Sequence, residues 1–130
     1  MNDYTDYTRK LESLLRENDA AMVQMNRAGR EHAAADSDYR AAKSKAYLLH
    51  VTQPLKEGEK TRTVSHLDAL VDRDCQAERD RERLAKAERE SSIEYVRSLR
   101  TSITALQTLL NHSKAELDLA RTAPVNYTTA

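Results

Sequence analysis

Residues 4–49 read YTDYTRKLESLLRENDAAMVQMNRAGREHAAADSDYRAAKSKAYLL, and one spacing organises the whole stretch. Apolar or small residues recur every three or four positions: Tyr4, Tyr7, Leu11, Leu14, Asn18, Ala21, Met25, Ala28, His32, Ala35, Tyr39, Ala42, Ala46 and Leu49. Only Asn18 and His32 in this series are polar, so the stripe is never lost. Such a pattern predicts a helix that packs against another helix along its full length. At 1.5 Å per residue the helix is roughly 70 Å long. Gly29 is its weak point, costing about 1 kcal/mol relative to alanine. It marks a bend or a place where a partner helix comes close.

Residues 51–63, VTQPLKEGEKTRT, read as a connector. Pro54 has no N–H and pushes Gln53 out of the helical region. Thr63 or Ser65 can cap a second helix, and Ser65 with Asp68 three residues on approximates a capping box. This helix is expected over about 65–121. Its apolar residues gather at the two ends, with Val64, Leu67, Leu70 and Val71 early and Ile93, Val96, Leu99, Ile103, Leu106, Leu110 and Leu117 late. From Glu78 to Glu90, ten of 13 residues are charged, leaving Leu84, Ala85 and Ala87 as the only apolar ones. A chain that folds back near residue 57 sets this charged segment opposite Ala28, Ala33, Ala34 and Ala35. Small side chains there let the backbones approach while long Glu and Arg stems cover the seam. The alternating signs of ERDRERLAKAERE suit a solvated helix face, or else a stripe that binds a partner. Pro124 and the sequence TAPVNYTTA end the helix in a frayed tail, 122–130. The expected fold is therefore all-α: one domain over 1–130, with two long helices (about 4–50 and about 65–121) in an antiparallel, coiled-coil-like hairpin.

Composition adds an expectation of self-association. The chain is 39% hydrophobic and 32% charged, with no Trp or Phe, closer to long-helix proteins than to a globular core-builder. Two helices of this kind bury little surface alone, so a homo-oligomer is expected. Leu14, Ile93, Val96, Leu99, Ile103, Leu106 and Leu110 are the expected packing and oligomer residues. Leu109 beside Leu110 widens the stripe beyond one seam, toward the N-terminal turns with Leu14 and Leu15 or toward a neighbouring subunit.

No run of about 18 apolar residues exists, so no membrane-spanning helix and no membrane partner are expected. The N-terminus lacks a basic-then-apolar signal, and the single Cys75 cannot form an intrachain disulfide. Both point to a reducing cytoplasm.

Catalytic patterns are absent from the sequence. Gly29 and Gly58 are isolated, and neither CxxC nor HExxH occurs. His32 and Asp36 lie four apart on one helix face but fall short of the three or four ligands that zinc takes. His50 and His66 flank the connector and could meet across it, again short of a site; His112 reads as surface. Cys75 as a nucleophile needs a base beside it. A non-enzymatic protein without metal or cofactor is expected.

Charge supplies the functional lead. The chain carries 21 basic and 21 acidic residues, yet Arg40–His66 holds Arg40, Lys43, Lys45, Lys56, Lys60 and Arg62 against two acids, a local +4. Polyanions are the commonest partner of such a patch. Arg40, Lys43 and Tyr47 are three or four apart and share a helix face. Lys45 points elsewhere, toward a neighbouring strand or subunit, and Lys56, Lys60 and Arg62 come from the connector. Cationic tracks with aromatic platforms bind single-stranded nucleic acid, and Tyr47 or Tyr39 could stack bases. In an oligomer the patches repeat, so counterion release and avidity grow together.

Three segments, ADSDYRAAKSKAYLLH, LKEGEKTRTVSHLDALVDRD and IEYVRSLRTSITALQTLLNHSKAEL, stand in this order along the chain. Together they resemble a phage recombination mediator of the UvsY type over roughly residues 20–118. The resemblance implies a protein of an infected bacterial host's cytoplasm that binds single-stranded DNA and assembles into a ring. It also implies that the protein helps a recombinase replace the single-strand-binding protein on DNA. Lys43, Lys45, Tyr47, Lys56, Lys60 and Arg62 are the residues carried over. The absence of Trp from the second helix and the neutral net charge imply a modest, salt-dependent affinity. The expectation is thus a DNA-binding accessory protein. The alternative is a helical adaptor or inhibitor that grips a host or phage protein through 78–90 or 93–110 and binds no DNA.

Overall fold

The uninterrupted 3-4 spacing of the first segment folds into a single 50-residue helix, α1, Asp3–Thr52. In the computed structural model, which describes residues 3–54 and 63–122, two further helices follow: α2, Val64–Asp74, and α3, Gln76–Thr122. The described residues are all-helical outside the short helix ends and contain no strand. Pro54 ends α1 close to the expected place. The last carbonyls there are taken by Gln53 N–H, 3.1 Å from Leu49 O, and by Thr52 Oγ1, 2.8 Å from Leu48 O. Of the two candidate caps, Thr63 is used: its backbone is extended and its hydroxyl accepts from His66 N–H at 3.1 Å. Ser65 lies inside α2.

The second helix differs from its expectation. Rather than running unbroken over about 65–121, it is divided at Cys75, whose φ of −105° and ψ of 15° depart from helical values. Hydrogen bonding continues on both sides, since Cys75 N–H donates to Val71 O and Cys75 O accepts from Arg79 N–H, each at 2.9 Å. No Pro or Gly stands at the joint, so the cause is tertiary. Val71 and Cys75 are buried with Ala46, packed on by Tyr39 and Ala42. At the same level the inner face of α1 changes step. Leu49, the expected seam residue, is 54% exposed, and His50 beside it is 5% exposed. His50 Nε2 lies 2.6 Å from Asp74 Oδ2. The joint lets Val71, Asp74 and Cys75 all meet α1 as its inward face shifts by one residue.

The chain forms two compact units, one from the segment up to Val23 with the segment from Ile93 onward, the other from Gln24–Ser92. Segments of α1 and α3 pack against each other in both. In the first unit α3 supplies buried Val96, Leu99, Ile103 and Leu106, with Ile93 and Leu110 half-buried. From α1 come buried Ala21 and half-buried Leu11, Leu14 and Asn18. The seven expected packing residues thus turn inward within a single chain, each fully buried one contributing about 1.5–3 kcal/mol. Leu15 and Leu109 stay exposed. Asn18 sits in the seam with Nδ2 3.8 Å from Met22 Sδ, while its Oδ1 is buried without a hydrogen-bond partner.

In the second unit the seam is lined by alanine. Ala28, Ala35, Ala46 and Ala85 are buried, whereas Ala33 and Ala34 face outward. His32, Asp38 and His50 meet Glu82, Arg81 and Asp74 in reverse chain order, so the helices run antiparallel. Glu78, Arg79 and Glu82 are half-buried in this unit. Gly29 is not a point of close approach: a Cβ there would meet nothing within 4 Å, and α1 passes through it without a break. Among the described residues no helix is long and apolar enough to cross a membrane.

Candidate nucleic-acid interface

The last four turns of α1 carry three of the six basic residues that the sequence singles out, Arg40, Lys43 and Lys45. Tyr39, Lys43 and Tyr47 follow one another at four-residue steps, so helical geometry stacks them on one face. Lys43 Nζ stands 6.0 Å from the Tyr39 ring centroid, the outer limit of a cation–π contact, worth about 0.5–1 kcal/mol at an exposed site. Tyr39 itself packs against the Ala46–Val71–Cys75 cluster and is therefore a seam residue rather than a free platform. Tyr47 is 46% exposed and offers ring surface to a ligand. Arg40 Nε pairs with Asp36 Oδ2 at 3.1 Å, with its side chain largely in solvent. Such an exposed i,i+4 pair is worth about 0–1 kcal/mol, so a phosphate can displace the carboxylate.

Lys45 stands apart from this face. It lines a cleft of about 620 Å³ between the end of α1 and the α2–α3 joint. Ala42, Ala46, Leu48, Leu49 and Thr52 belong to the α1 side of the cleft, and Asp74, Cys75 and Glu78 to the other. The structure thus groups Arg40, Lys43 and Tyr47, and sets Lys45 on another flank. Lys56, Lys60 and Arg62 lie outside the described residues.

The histidines resolve into pairs across and along the helices. His50 meets Asp74, not His66, which is exposed near the start of α2. His32 does not join Asp36: its Nε2 lies 3.0 Å from Glu82 Oε1, its Nδ1 lies 3.5 Å from Arg89 Nη1, and Asp36 is taken by Arg40. A neutral imidazole with the proton on Nε2 satisfies both contacts, donating to Glu82 and accepting from Arg89. His112 pairs with Glu116 at 3.0 Å on the surface. Among the described residues no three His, Cys, Asp or Glu side chains converge as a metal site. Burial, then the nearby Glu78, Asp74 and Asp72, push the Cys75 thiol up, against a weaker opposing effect of Lys43. A thiol so placed is a poor nucleophile.

Sequence reading missed the His50–Asp74 pair because His50 lay one residue off the expected stripe. The hydrogen bond from His50 is the main cause that holds the Asp74 carboxyl below its ordinary value, with Arg73 adding to it and desolvation opposing. A carboxylate whose folded pKa is depressed contributes its stability in full above its unfolded pKa, near 4. That contribution is lost as pH falls through the folded value. Asp74→Asn is therefore expected to lower the midpoint of urea unfolding at neutral pH. In acid, below the usual carboxylate range, the difference from wild type should vanish. An equal offset at neutral and acid pH would refute the pair's role.

The Tyr95 hydroxyl, on the segment IEYVRSL, donates to the Glu17 carboxylate, and this bond, with desolvation and the nearby charge, raises the phenol pKa. What the geometry offers is two cations, Arg40 and Lys43, and the exposed Tyr47 ring on one helix face, with the cleft on another flank of α1. Comparison with protein-family models, with curated proteins and with solved structures finds no match for this chain.

Proposed function

We propose that this chain is a non-enzymatic, self-associating accessory protein that binds single-stranded DNA through the C-terminal turns of α1. The supporting observation is the common face of Arg40, Lys43 and exposed Tyr47, a cationic track beside an aromatic platform. Lys56, Lys60 and Arg62 extend the positive charge of the same stretch of sequence. The resemblance of the sequence to UvsY-type mediators supports reading it as a partner of a recombinase and a single-strand-binding protein in the cytoplasm of an infected bacterium.

The test is anisotropy of a labelled oligothymidine titrated with the full chain at several salt concentrations. Binding should weaken steeply with salt, as phosphate neutralisation requires. Lys43→Glu combined with Tyr47→Ala should reduce affinity about tenfold or more at low salt, since one stacked base is worth about 1–3 kcal/mol. Both side chains are exposed, so helicity by circular dichroism should be unchanged. Unaltered affinity in the double variant would refute this surface. No binding by the wild type at low salt would favour the protein-adaptor reading.

A further inference from the structure

The cleft beside the α2–α3 joint and the ridge next to it are complementary to each other. The cleft is lined by small side chains, Ala42, Ala46 and Cys75, which leave space for a large apolar one. The ridge is Leu48, 63% exposed, with Leu49 beside it. Both leucines form part of the wall of the cleft, so within one chain neither can fill it. Charge repeats the arrangement. Lys45 lines one side and, among the described residues, enters no ion pair. Glu78 lines the other and likewise, among the described residues, enters no ion pair.

Knob and hole, cation and anion, thus lie on the same small patch of the same molecule. An isologous two-fold contact demands this, because each feature must meet its complement on an identical surface. We propose that the cleft is occupied by a second copy of this chain. Leu48 of each copy enters the cleft of the other, and Lys45 of each reaches Glu78 of the second copy. The pairing resolves the position of Lys45, which stands off the Arg40–Lys43–Tyr47 face: it joins subunits and leaves that face open to a ligand. Such a contact closes at two subunits and doubles the basic face, which would raise avidity for a polyanion. The inference rests on the self-association in the function proposed above and gives it a location.

Light scattering and sedimentation of the full chain test it by charge reversal. Lys45→Glu and Glu78→Lys, each alone, should weaken the dimer about tenfold or more, because like charges then face each other twice. An equimolar mixture of the two variants should recover a heterodimer, since opposite charges then meet at both contacts. A pair formed within one chain cannot give this recovery. Leu48→Arg should also dissociate the dimer, and its exposed position keeps the fold intact, which circular dichroism verifies. An assembly that withstands these single variants overturns the cleft while sparing self-association. Dissociation of both charge variants without recovery in the mixture overturns the Lys45–Glu78 pairing. A monomeric wild type overturns both this inference and the self-association on which it rests. Oligothymidine binding by the Leu48→Arg monomer, weakened but present, separates failure of the interface from failure of the DNA face.

Discussion

Val96→Asp is expected to unfold the unit that contains it at a denaturant concentration well below wild type. Val96 is 2% exposed and sits one turn from Leu99 on the buried face of α3, with Ile103 and Leu106 beyond it. A carboxylate placed there loses its water, and the residues around it are apolar. An uncompensated buried charge costs about 3–5 kcal/mol, a large part of the roughly 5–15 kcal/mol that holds a small domain folded. Urea unfolding followed by helicity at 222 nm reads the effect. Val23→Asp makes the same chemical change in the same unit at an exposed position, where the cost should stay within about 0.5 kcal/mol. If the two variants unfold together, the inward face of α3 has been misassigned.

The second large effect concerns the alanine seam. Ala28 is 1% exposed, and its short side chain is what allows α1 and α3 to lie close at that level. Ala28→Leu forces three extra heavy atoms into a filled space, with an expected cost of about 1–3 kcal/mol. Ala33→Leu adds the same atoms on the exposed side of the same helix, where leucine and alanine differ little in helix propensity. A lowered melting temperature for the first variant and little change for the second is the expected pattern. Equal shifts would mean that the seam is not closely packed.

The contrast between Ala28 and Ala33 also marks how far the sequence could be read. Spacing alone put Ala28, Ala33, Ala34 and Ala35 together opposite the charged segment, because all four are small. Periodicity along the entire helix then selects Ala28 and Ala35, which fall on the stripe of Leu14 and Ala21, and the structure buries those two. The end of α1 was less legible. There the stripe predicts Leu49 inward, but the α2–α3 joint and the carboxylate of Asp74 favour His50, and leucine is left in solvent. A seven-residue rule cannot anticipate a change of step that a distant residue imposes. The candidate interface divides similarly. That Arg40, Lys43 and Tyr47 share a face follows from helix geometry alone. That Tyr39 is engaged in the core, that Arg40 holds Asp36 and that Lys45 lines a cleft required the packed structure.

The sequence by itself determined that the chain is helical, where α1 ends and which residues of α3 form its buried stripe. These follow from short-range physics: a repeat that matches the helical turn, a proline that cannot continue it and a threonine that can cap the next helix. Only the tertiary structure decided the break at Cys75, the exchange of Leu49 for His50 and the cleft beside them. Each depends on which side chains meet across a separation of more than 20 residues. Packing and electrostatics between helices set those encounters, and local propensity carries no record of them.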